Sequence, residues 1–376
     1  MIYLDNAATT QYKPPEVIAA VNEALTTLPY NPNRSGSKAC IQLQQRIANV
    51  RRKVAGLVNC DEGRVVFTSG CTAALNLALV GTVRRGHIIA TTTEHNSVLR
   101  TLDAIASKGI CDVDYVRPDE NGDILTEQIA RLVRPDTYLV CICGTSNVTG
   151  HTQRLTDIGA FCRSRNLLFA VDCAQSVGYT DIDMRRDNID LVAFGAHKGL
   201  HAMQGTGVLC CSSRVTPRPT VFGGTGTDSH LTKQPTDIPD GLEAGTLPCP
   251  AILAMGAGID WYLANRQANA LRMRETQQLL LDNLSQIPSV KLYSAPNECG
   301  IVSFNISALD SNAVADVLDS KFDIAIRGGL QCAPLMHRCL GTFESGVVRA
   351  SVSCQTTKQD CYQLLYAVDY LARKGV

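Results

Sequence analysis

Short strand-like runs, most of them apolar, alternate with longer segments of helical periodicity through the first two thirds of the chain. The runs lie at residues 65–68, 87–92, 112–116, 138–143, 167–172 and 191–196. Mainly apolar runs of this length, each followed by polar or small residues, are typical of strands buried inside a parallel sheet. With helical segments between them, they predict an α/β fold in which a mainly parallel sheet is flanked by helices on both faces.

Two long segments have the spacing of amphipathic helices. Residues 38–58 predict a helix with one packed face, and residues 252–287 predict a longer helix that leads out of the large domain. The apolar positions that we expect to pack in the first helix are Ile41, Leu43, Ile47, Val50, Val54 and Leu57.

A chain of 376 residues exceeds what a single core usually serves, so we expect two domains. The predicted large domain spans residues 15–257. The predicted smaller α+β domain combines residues 1–14 with residues 258–376. Residues 217–250 are rich in Pro, Gly and Thr and predict an ordered functional loop or lid rather than a structureless one.

Charge and composition exclude several classes of function. Lys and Arg together number 35, as do Asp and Glu, so the formal net charge is zero and nothing indicates nucleic acid or a membrane surface as partner. The N-terminus has neither a basic region nor an apolar signal segment, and no apolar run reaches the length of a membrane span. We therefore predict a cytoplasmic protein.

The sixteen cysteines indicate either a disulfide framework or a reducing compartment in which cysteine serves as a small apolar residue. Because Cys141, Cys143, Cys210 and Cys211 lie inside apolar runs, the second interpretation is favoured. No Cys-x-x-Cys pair occurs, and we expect no metal site.

The most informative residues are an acid and a lysine at the ends of two predicted strands. Asp172 ends one apolar run, and Lys198 follows the next. A lysine just past a strand is ordinarily solvated, but a buried lysine with a lowered pKa can form a Schiff base. Pyridoxal phosphate needs such an amine for its aldehyde and an acid for its pyridinium proton. The pair therefore predicts a pyridoxal phosphate enzyme.

Three further segments fall at the carboxyl edge of the predicted sheet, where α/β proteins bind ligands. Residues 69–72 pass from strand to helix through Gly70, so the free amides of the helix N-terminus are a candidate phosphate site. His95 and Asn147 each follow a strand. From the residues alone, His95 can equally be a histidine that only caps the next helix.

Two features stand out in the C-terminal third. Cys332 lies in a glycine-containing loop close to Arg327, and Arg349 lies inside an apolar strand. A buried arginine requires a carboxylate, which can come from the protein or from a substrate.

Taken together, these segments resemble the cysteine desulfurases of the class V aminotransferase group, which are fold-type I pyridoxal phosphate enzymes. The resemblance covers nearly the whole chain, and the ordered set is far more specific than any single motif. It rests on Leu4-Asp5-Asn6-Ala7-Ala8-Thr9-Thr10, Thr68-Ser69-Gly70, Glu94-His95, Ser146-Asn147, Val171-Asp172-Cys173-Ala174-Gln175, His197-Lys198, Glu243-Ala244-Gly245-Thr246, Arg327-Gly328-Gly329-Leu330-Gln331-Cys332-Ala333 and Arg349-Ala350-Ser351.

The resemblance implies a role for each matching residue. Lys198 would carry the aldehyde of the cofactor, Asp172 would pair with its ring nitrogen, and His95, also a catalytic residue, would stack on its ring. Further residues implied in cofactor binding are Gln175 and Asn147 near the phenolic oxygen, Gly70, Cys71, Thr72 and His197 at the phosphate, and Thr246 at the phosphate of a partner subunit. Arg349, with Asn147 and Arg327, would bind the substrate, and Cys332 would accept its sulfur.

The implied reaction converts L-cysteine to L-alanine and leaves a persulfide on Cys332. The implied active unit is a homodimer, and a sulfur-acceptor protein or small thiol would release the persulfide. The short loop before Cys332 is more similar to the SUF-type branch than to relatives with a long mobile loop. A selenocysteine lyase, another C–S lyase of the group and an inactive scaffold relative are the alternatives.

Three departures from the family pattern bear on these expectations. Gly195 replaces a usual Ser or Thr, which removes one hydroxyl from the expected phosphate site. Residues 34–38 contain no histidine where relatives commonly have one, and residues 354–357 replace an aromatic-Asn-Thr segment. The last two departures concern the choice of substrate more than the identity of the cofactor.

Overall fold

The computed structural model describes residues 1–32, 36–227 and 229–375, so Asn33, Arg34, Ser35, Asp228 and Val376 lie outside the described residues. The strands are β1 (Ile2–Tyr3), β2 (Val65–Thr68), β3 (Gly86–Thr91), β4 (Cys111–Val116), β5 (Thr137–Cys143), β6 (Leu168–Asp172), β7 (Leu191–Gly195), β8 (Gly207–Cys211), β9 (Val290–Leu292), β10 (Ile301–Ile306), β11 (Ile324–Ala325) and β12 (Val348–Ser351). The helices are α1 (Pro15–Thr26), α2 (Lys38–Val58), α3 (Cys71–Gly81), α4 (Asn96–Ala106), α5 (Thr126–Leu132), α6 (Leu155–Ser164), α7 (Cys249–Leu284), α8 (Ser311–Phe322), α9 (Pro334–Leu340) and α10 (Lys358–Lys374).

The large sheet has the strand order β2-β8-β7-β6-β5-β3-β4. Strands β4, β3, β5, β6 and β7 pair in parallel, whereas β8 is antiparallel to both β7 and β2. The prediction of a mainly parallel α/β sheet is confirmed. The antiparallel direction of β8 was not predicted, because an apolar run gives no information about strand direction.

Alternate residues of each central strand pack on opposite faces of this sheet. Val192 and Phe194 join the cluster that contains residues of α2, α6 and α7, whereas Leu191 and Ala193 join the cluster that contains residues of α3 and α4. Side chains of a strand alternate between its two faces, so strands covered by helices on both sides must be apolar at nearly every position. This is why the central strands read as continuous apolar runs.

Helix α2 spans the predicted residues 38–58. Ser37 caps its first turn by accepting a hydrogen bond from the Cys40 amide, and Asn59 ends the helix in the left-handed conformation. The expectation that Ile41 packs in the core was wrong, since Ile41 is 43% exposed and Cys40 is buried instead. The packed face is offset by one residue at this end of the helix.

Helix α7 joins the large sheet to the C-terminal third. Its first turns, from Cys249 to Ile259, pack in the core of the large sheet, and its last turns, from Met273 to Leu284, pack in a separate core. That second core also contains Leu4 and residues of the antiparallel sheet β12-β10-β9. The N-terminal strand β1 pairs with β11 in the same part of the molecule. A domain boundary near residue 257 stays a prediction.

In the described part of residues 217–248, the one helical turn is a short 3₁₀ turn at Asp240–Leu242. The Gln234 side chain connects two parts of this segment, because it accepts a hydrogen bond from the Gly223 amide at 3.0 Å and donates one to the Gly241 carbonyl at 3.0 Å. Val221 and Phe222 are 63% and 74% exposed. The function of this segment as a lid stays a prediction.

All sixteen cysteines are free thiols, and twelve of them are buried. Cysteine therefore serves mainly as a small core residue, as the apolar runs predicted. Within the described residues, no helix combines the length and apolar character needed to cross a bilayer.

Candidate active site

The predicted site residues meet in a cavity of about 310 Å³ at the carboxyl edge of the parallel strands. Asp172 is the last residue of β6, and Lys198 follows β7 by three residues. His95 and Asn147 follow β3 and β5. Parallel strands end at the same edge of a sheet, so residues far apart in sequence converge there. The predicted residues that line this cavity are Gly70, Cys71, Thr72, His95, Asn147, Asp172, Gln175, His197, Lys198, Arg327 and Arg349.

Lys198 lies half-buried on the cavity wall. Burial lowers the pKa of its ammonium group, the nearby Arg349 lowers the pKa further, and Cys71 and Asp172 oppose the shift. A lowered pKa increases the fraction of neutral amine at neutral pH, which is the form that attacks a carbonyl.

Asp172 is 3% exposed and is held in place by its own turn. Its Oδ1 accepts a hydrogen bond from the Ala174 amide at 2.9 Å and one from the Cys71 thiol at 3.6 Å. The sequence did not predict the thiol contact. A buried carboxylate in this position can stabilise a protonated ring nitrogen.

His95 both caps helix α4 and lines the cavity. Its Nδ1 accepts a hydrogen bond from the Ser97 amide at 3.0 Å and lies 2.8 Å from Ser97 Oγ. Burial lowers the pKa of the imidazole, with the nearby Asp172 opposing the shift. His95 therefore caps the helix and also forms part of the cavity wall, and its role toward a cofactor stays a prediction.

One end of the cavity offers hydrogen-bond donors suited to an anion. Helix α3 begins after Gly70 and no side chain caps its first amides. Gly207 packs against this turn so closely that a Cβ atom there would lie 2.4 Å from the Gly70 carbonyl carbon. His197 Nδ1 and Thr206 Oγ1 line the same cavity and are buried without a hydrogen-bond partner among the described residues.

Sequence reasoning missed Thr206 as a site residue. The signal was present, because Thr206 is the one hydroxyl residue in the Gly-Thr-Gly segment that follows the lysine. Its hydroxyl is available where Gly195 removes the hydroxyl expected from the family pattern.

Five buried polar atoms on residues that line this cavity lack a partner within the described residues: Asn147 Oδ1, Gln175 Oε1, His197 Nδ1, Thr206 Oγ1 and Arg349 Nε. Unpartnered buried polar atoms are costly, and a cluster of them around one cavity indicates a polar ligand. With the uncapped amides, the lysine and the aspartate, they fit a group that has a phosphate, a ring nitrogen and an aldehyde. The residues present therefore fit pyridoxal phosphate.

Cys332 lines a neighbouring groove of about 480 Å³ rather than the main cavity. Thr72, His95 and Ser97 line both spaces, so the two are adjacent. Arg327 lines the main cavity, and its Nη2 lies 3.4 Å from the Cys332 sulfur. The predicted neighbourhood of Cys332 and Arg327 is present in the structure.

Hydrogen bonds fix the turn that carries Cys332. Gln331 and Cys332 have φ values of 44° and 59°, a left-handed conformation that is strained for residues other than glycine. The Asn147 side chain donates to the Gln331 carbonyl at 2.6 Å, and the Asn96 amide donates to the Cys332 carbonyl at 2.7 Å. Strained residues persist where their surroundings hold them, and these two bonds attach the turn to the loop after β5 and to helix α4.

Arg349 is 1% exposed and has a carboxylate from the protein itself. Its Nη2 lies 2.6 Å from Asp5 Oδ1, and its Nη1 donates to the Asn147 carbonyl at 2.9 Å. Arg349 Nε lacks a partner among the described residues, and the side chain lines the cavity. Of the two carboxylate sources considered, the structure contains the internal one, and Nε keeps an unpaired N–H for a second carboxylate.

Thr246 does not reach this cavity within one chain. It is exposed, and the neighbouring Glu243 forms a bidentate ion pair with Arg51 at 2.8 and 2.9 Å. A contact of Thr246 with the phosphate site of a second subunit stays a prediction. The described residues contain no group of three or more His, Cys, Asp or Glu side chains placed to bind a metal ion.

Comparison with known proteins identifies the family. A sequence model of the family described as Aminotransferase class-V matches residues 2–364. The chain belongs to this family. It is 31% identical to a probable cysteine desulfurase of Methanothermobacter thermautotrophicus over all of this chain and 95% of that protein. It is also 32% identical to the cysteine desulfurase IscS of Tolumonas auensis, over 88% of this chain and 80% of that protein.

Solved structures agree with this assignment. The apo structure of a cysteine desulfurase from Thermococcus onnurineus superposes on this chain with a TM-score of 0.91 and 25% sequence identity. The match covers all of this chain and 95% of the other. The fold-type I architecture expected from the sequence is confirmed.

A further acid, Glu94, lies close to the residues of the cavity. Glu94 is fully buried, and its Oε1 accepts hydrogen bonds from Thr91 Oγ1 at 2.5 Å and from the Cys143 amide at 2.7 Å. Burial raises the pKa of Glu94 to about 8, with Asp172 adding to the shift and the bond from Thr91 opposing it. Glu94 is therefore protonated at neutral pH, which avoids a second negative charge beside Asp172.

We expect Glu94→Gln to stabilise the protein above pH 5. Between the ordinary pKa of 4.5 and about 8, the unfolded chain releases this proton while the folded chain keeps it, so the free energy of unfolding falls as pH rises. Gln stays neutral and avoids this loss, at roughly 1.4 kcal/mol per unit of pKa difference. Denaturant unfolding of both proteins at pH 4.5, 6 and 8 should give a difference that grows to a few kcal/mol. A difference that does not change with pH would contradict the assignment of a neutral Glu94.

Proposed function

We propose that this chain is a pyridoxal phosphate-dependent cysteine desulfurase that converts L-cysteine to L-alanine and transfers the sulfur to Cys332 as a persulfide. One observation carries the proposal. The cavity that contains Lys198 and Asp172 shares His95 and Thr72 with the groove that contains Cys332. An amino acid held at Lys198 is therefore next to a thiol that can take its sulfur.

The residues of the cavity divide into those for the ring and those for the phosphate. Lys198 would hold the aldehyde, Asp172 the ring nitrogen, and His95 the face of the ring, with Gln175 and Asn147 near the phenolic oxygen. The amides after Gly70, with Thr72, His197 and Thr206, would hold the phosphate. Bound pyridoxal phosphate withdraws electrons from Cα of the amino acid and so makes the Cα proton acidic.

Lys198 would then move protons at the substrate. Its Nζ would accept the Cα proton and return it to Cα as alanine forms, and burial, which lowers the pKa of Lys198, favours the neutral amine that this needs. The Asp172 carboxylate would face the ring nitrogen and favour the protonated form of that nitrogen. The neutral imidazole of His95 covers this reaction from the side of the groove.

Cys332 would take the sulfur by nucleophilic attack. Its thiolate attacks the substrate sulfur, a sulfur–sulfur bond forms, and the bond from Cβ to sulfur breaks. Cβ keeps the electron pair and takes a proton, so it becomes the methyl group of alanine. The Arg327 guanidinium, 3.4 Å from the Cys332 sulfur, is placed to pair with the negative charge of the thiolate.

Arg349, with Asn147 and Arg327, would bind the substrate carboxylate. The active unit would be a homodimer in which Thr246 of each subunit reaches the phosphate of the other. A thiol, on a small molecule or on an acceptor protein, would discharge the persulfide.

The test is product analysis with L-cysteine and with L-selenocysteine, in the presence of pyridoxal phosphate and a reductant. A desulfurase yields alanine and sulfide in equal amounts. Pyruvate with ammonia would indicate β-elimination and would contradict sulfur transfer to a protein thiol. Turnover of selenocysteine alone would favour the selenocysteine lyase alternative.

A further inference from the structure

Asp5, the carboxylate paired with Arg349, has no part in the proposed reaction. It lies two residues after β1 and forms an isolated bridge with Ser351 at the end of β12. Its Oδ1 is 2.6 Å from Arg349 Nη2, and its side chain is 21% exposed whereas that of Arg349 is 1% exposed. An ion pair with one deeply buried partner stabilises that partner, and it also limits what else the partner can bind.

The contacts of Arg349 leave Nε as the one nitrogen of its guanidinium without a partner among the described residues. A guanidinium has five N–H groups in a rigid plane. Nη2 donates a hydrogen bond to Asp5 and Nη1 donates one to the Asn147 carbonyl. These two bonds fix the orientation of the guanidinium plane. Arg349 Nε is buried without a partner among the described residues, and this side chain lines the main cavity. The unsatisfied donor is therefore held in a defined place rather than free to rotate.

We propose that Asp5 is a positioning residue that sets the affinity of the site for the carboxylate of an amino acid. It orients the Arg349 guanidinium so that Nε remains for the incoming carboxylate, and its charge offsets most of the attraction that a buried guanidinium would exert. This inference rests on the proposed function, in which Arg349 binds that carboxylate.

The partial neutralisation of Arg349 by Asp5 affects product release, because L-cysteine and L-alanine have the same carboxylate. An uncompensated guanidinium in a buried site would bind L-alanine as tightly as L-cysteine and would delay product release. Arg327 adds to the positive charge of the cavity, and it forms no ion pair within the described parts of the chain. Asp5 is thus the counter-ion that lowers the charge of this end of the site.

The test is equilibrium binding of L-alanine and of its neutral amide, L-alaninamide, to the holoenzyme and to Asp5→Asn, measured by calorimetry without turnover. Asn keeps the oxygen that faces Arg349 but removes its charge. We expect the dissociation constant of alanine to fall on the order of tenfold in D5N. The variant lacks the negative charge of Asp5, which repels the carboxylate of alanine over several ångströms at an intermediate dielectric constant. That of alaninamide should stay constant or rise.

A matched control is Asp190→Asn. Asp190 is 2% exposed and pairs with Arg214 at 2.9 Å, outside the cavity. D190N should reduce thermal stability, as loss of a buried partner does, while the affinity for alanine stays unchanged. Equal effects of D5N and D190N on alanine binding would assign the change in D5N to general destabilisation and would overturn the proposal.

A second variant covers the case in which D5N does not fold. The double variant D5N/R349Q removes both charges and leaves no unpaired ion, and it should lose the preference for alanine over alaninamide. An unchanged preference would overturn the proposal, as would D5N with unchanged or weaker alanine binding. Because these measurements need no sulfur transfer, an enzyme that binds amino acids as expected but makes no persulfide would refute only the proposed function.

Discussion

Replacing Lys198 by alanine is expected to abolish the release of sulfide and alanine from L-cysteine, with a loss on the order of 10³-fold or more. The variant lacks the amine that holds the aldehyde and also the base that accepts the Cα proton. Asp172 and the phosphate site remain, so the variant should still bind pyridoxal phosphate, but without a covalent bond. Both steps that depend on this nitrogen are lost together.

The covalent bond gives a readout independent of activity. Borohydride reduction followed by peptide mapping should label the peptide that contains Lys198 in the parent enzyme and no peptide in K198A. Lys13 provides a demanding control, because burial also lowers its pKa to about 8 and its Nζ donates to Thr10 Oγ1 at 3.1 Å. Labelling should persist in K13A. Label found on Lys13 would refute the assignment of Lys198.

Replacing Cys332 by alanine is expected to reduce sulfide release by on the order of 10²-fold or more, because the variant lacks the thiol that would attack the substrate sulfur. The absorbance of bound pyridoxal phosphate should not change, since Cys332 lies in the groove outside the main cavity. Mass spectrometry should find an added sulfur atom on Cys332 of the parent enzyme after a single turnover with L-cysteine.

Cys339 is the matched control for that result. It is an exposed cysteine in α9, the helix that follows the Cys332 turn. C339A should retain sulfide release and the persulfide on Cys332. Unchanged sulfide release by C332A, or loss of release by C339A alone, would show that a different thiol accepts the sulfur.

The sequence could predict the part of the site that depends on local position. Asp172 and Lys198 follow apolar strands, so their arrival at one sheet edge follows from parallel pairing alone. The chemistry of this acid and this amine then indicates the cofactor. The same argument places His95 and Asn147, because each follows a strand of the same sheet.

Other parts of the site depend on tertiary contacts that no local pattern records. Asp5 and Arg349 are 344 residues apart, so nothing in either segment identifies the other as its partner. The protonated state of Glu94 arises from complete burial beside Asp172, and the role of Thr206 depends on its unpartnered hydroxyl facing an enclosed space. Ile41 was misplaced because helical periodicity does not fix which flank of an apolar stripe reaches the core.

The antiparallel strand β8 has a consequence for how the lysine is held. Strand β8 is antiparallel to β7, and Gly195 pairs with Gly207. The loop of residues 196–206, which contains Lys198, therefore begins and ends at one pair of opposed residues in the sheet. The connection is thus a hairpin loop instead of a helical crossover. The hydrogen bonds between β7 and β8 hold both of its ends. Insertions or deletions in this loop would shift the amine relative to Asp172 and leave the sheet intact, so the reactivity of this enzyme can change without a change of fold.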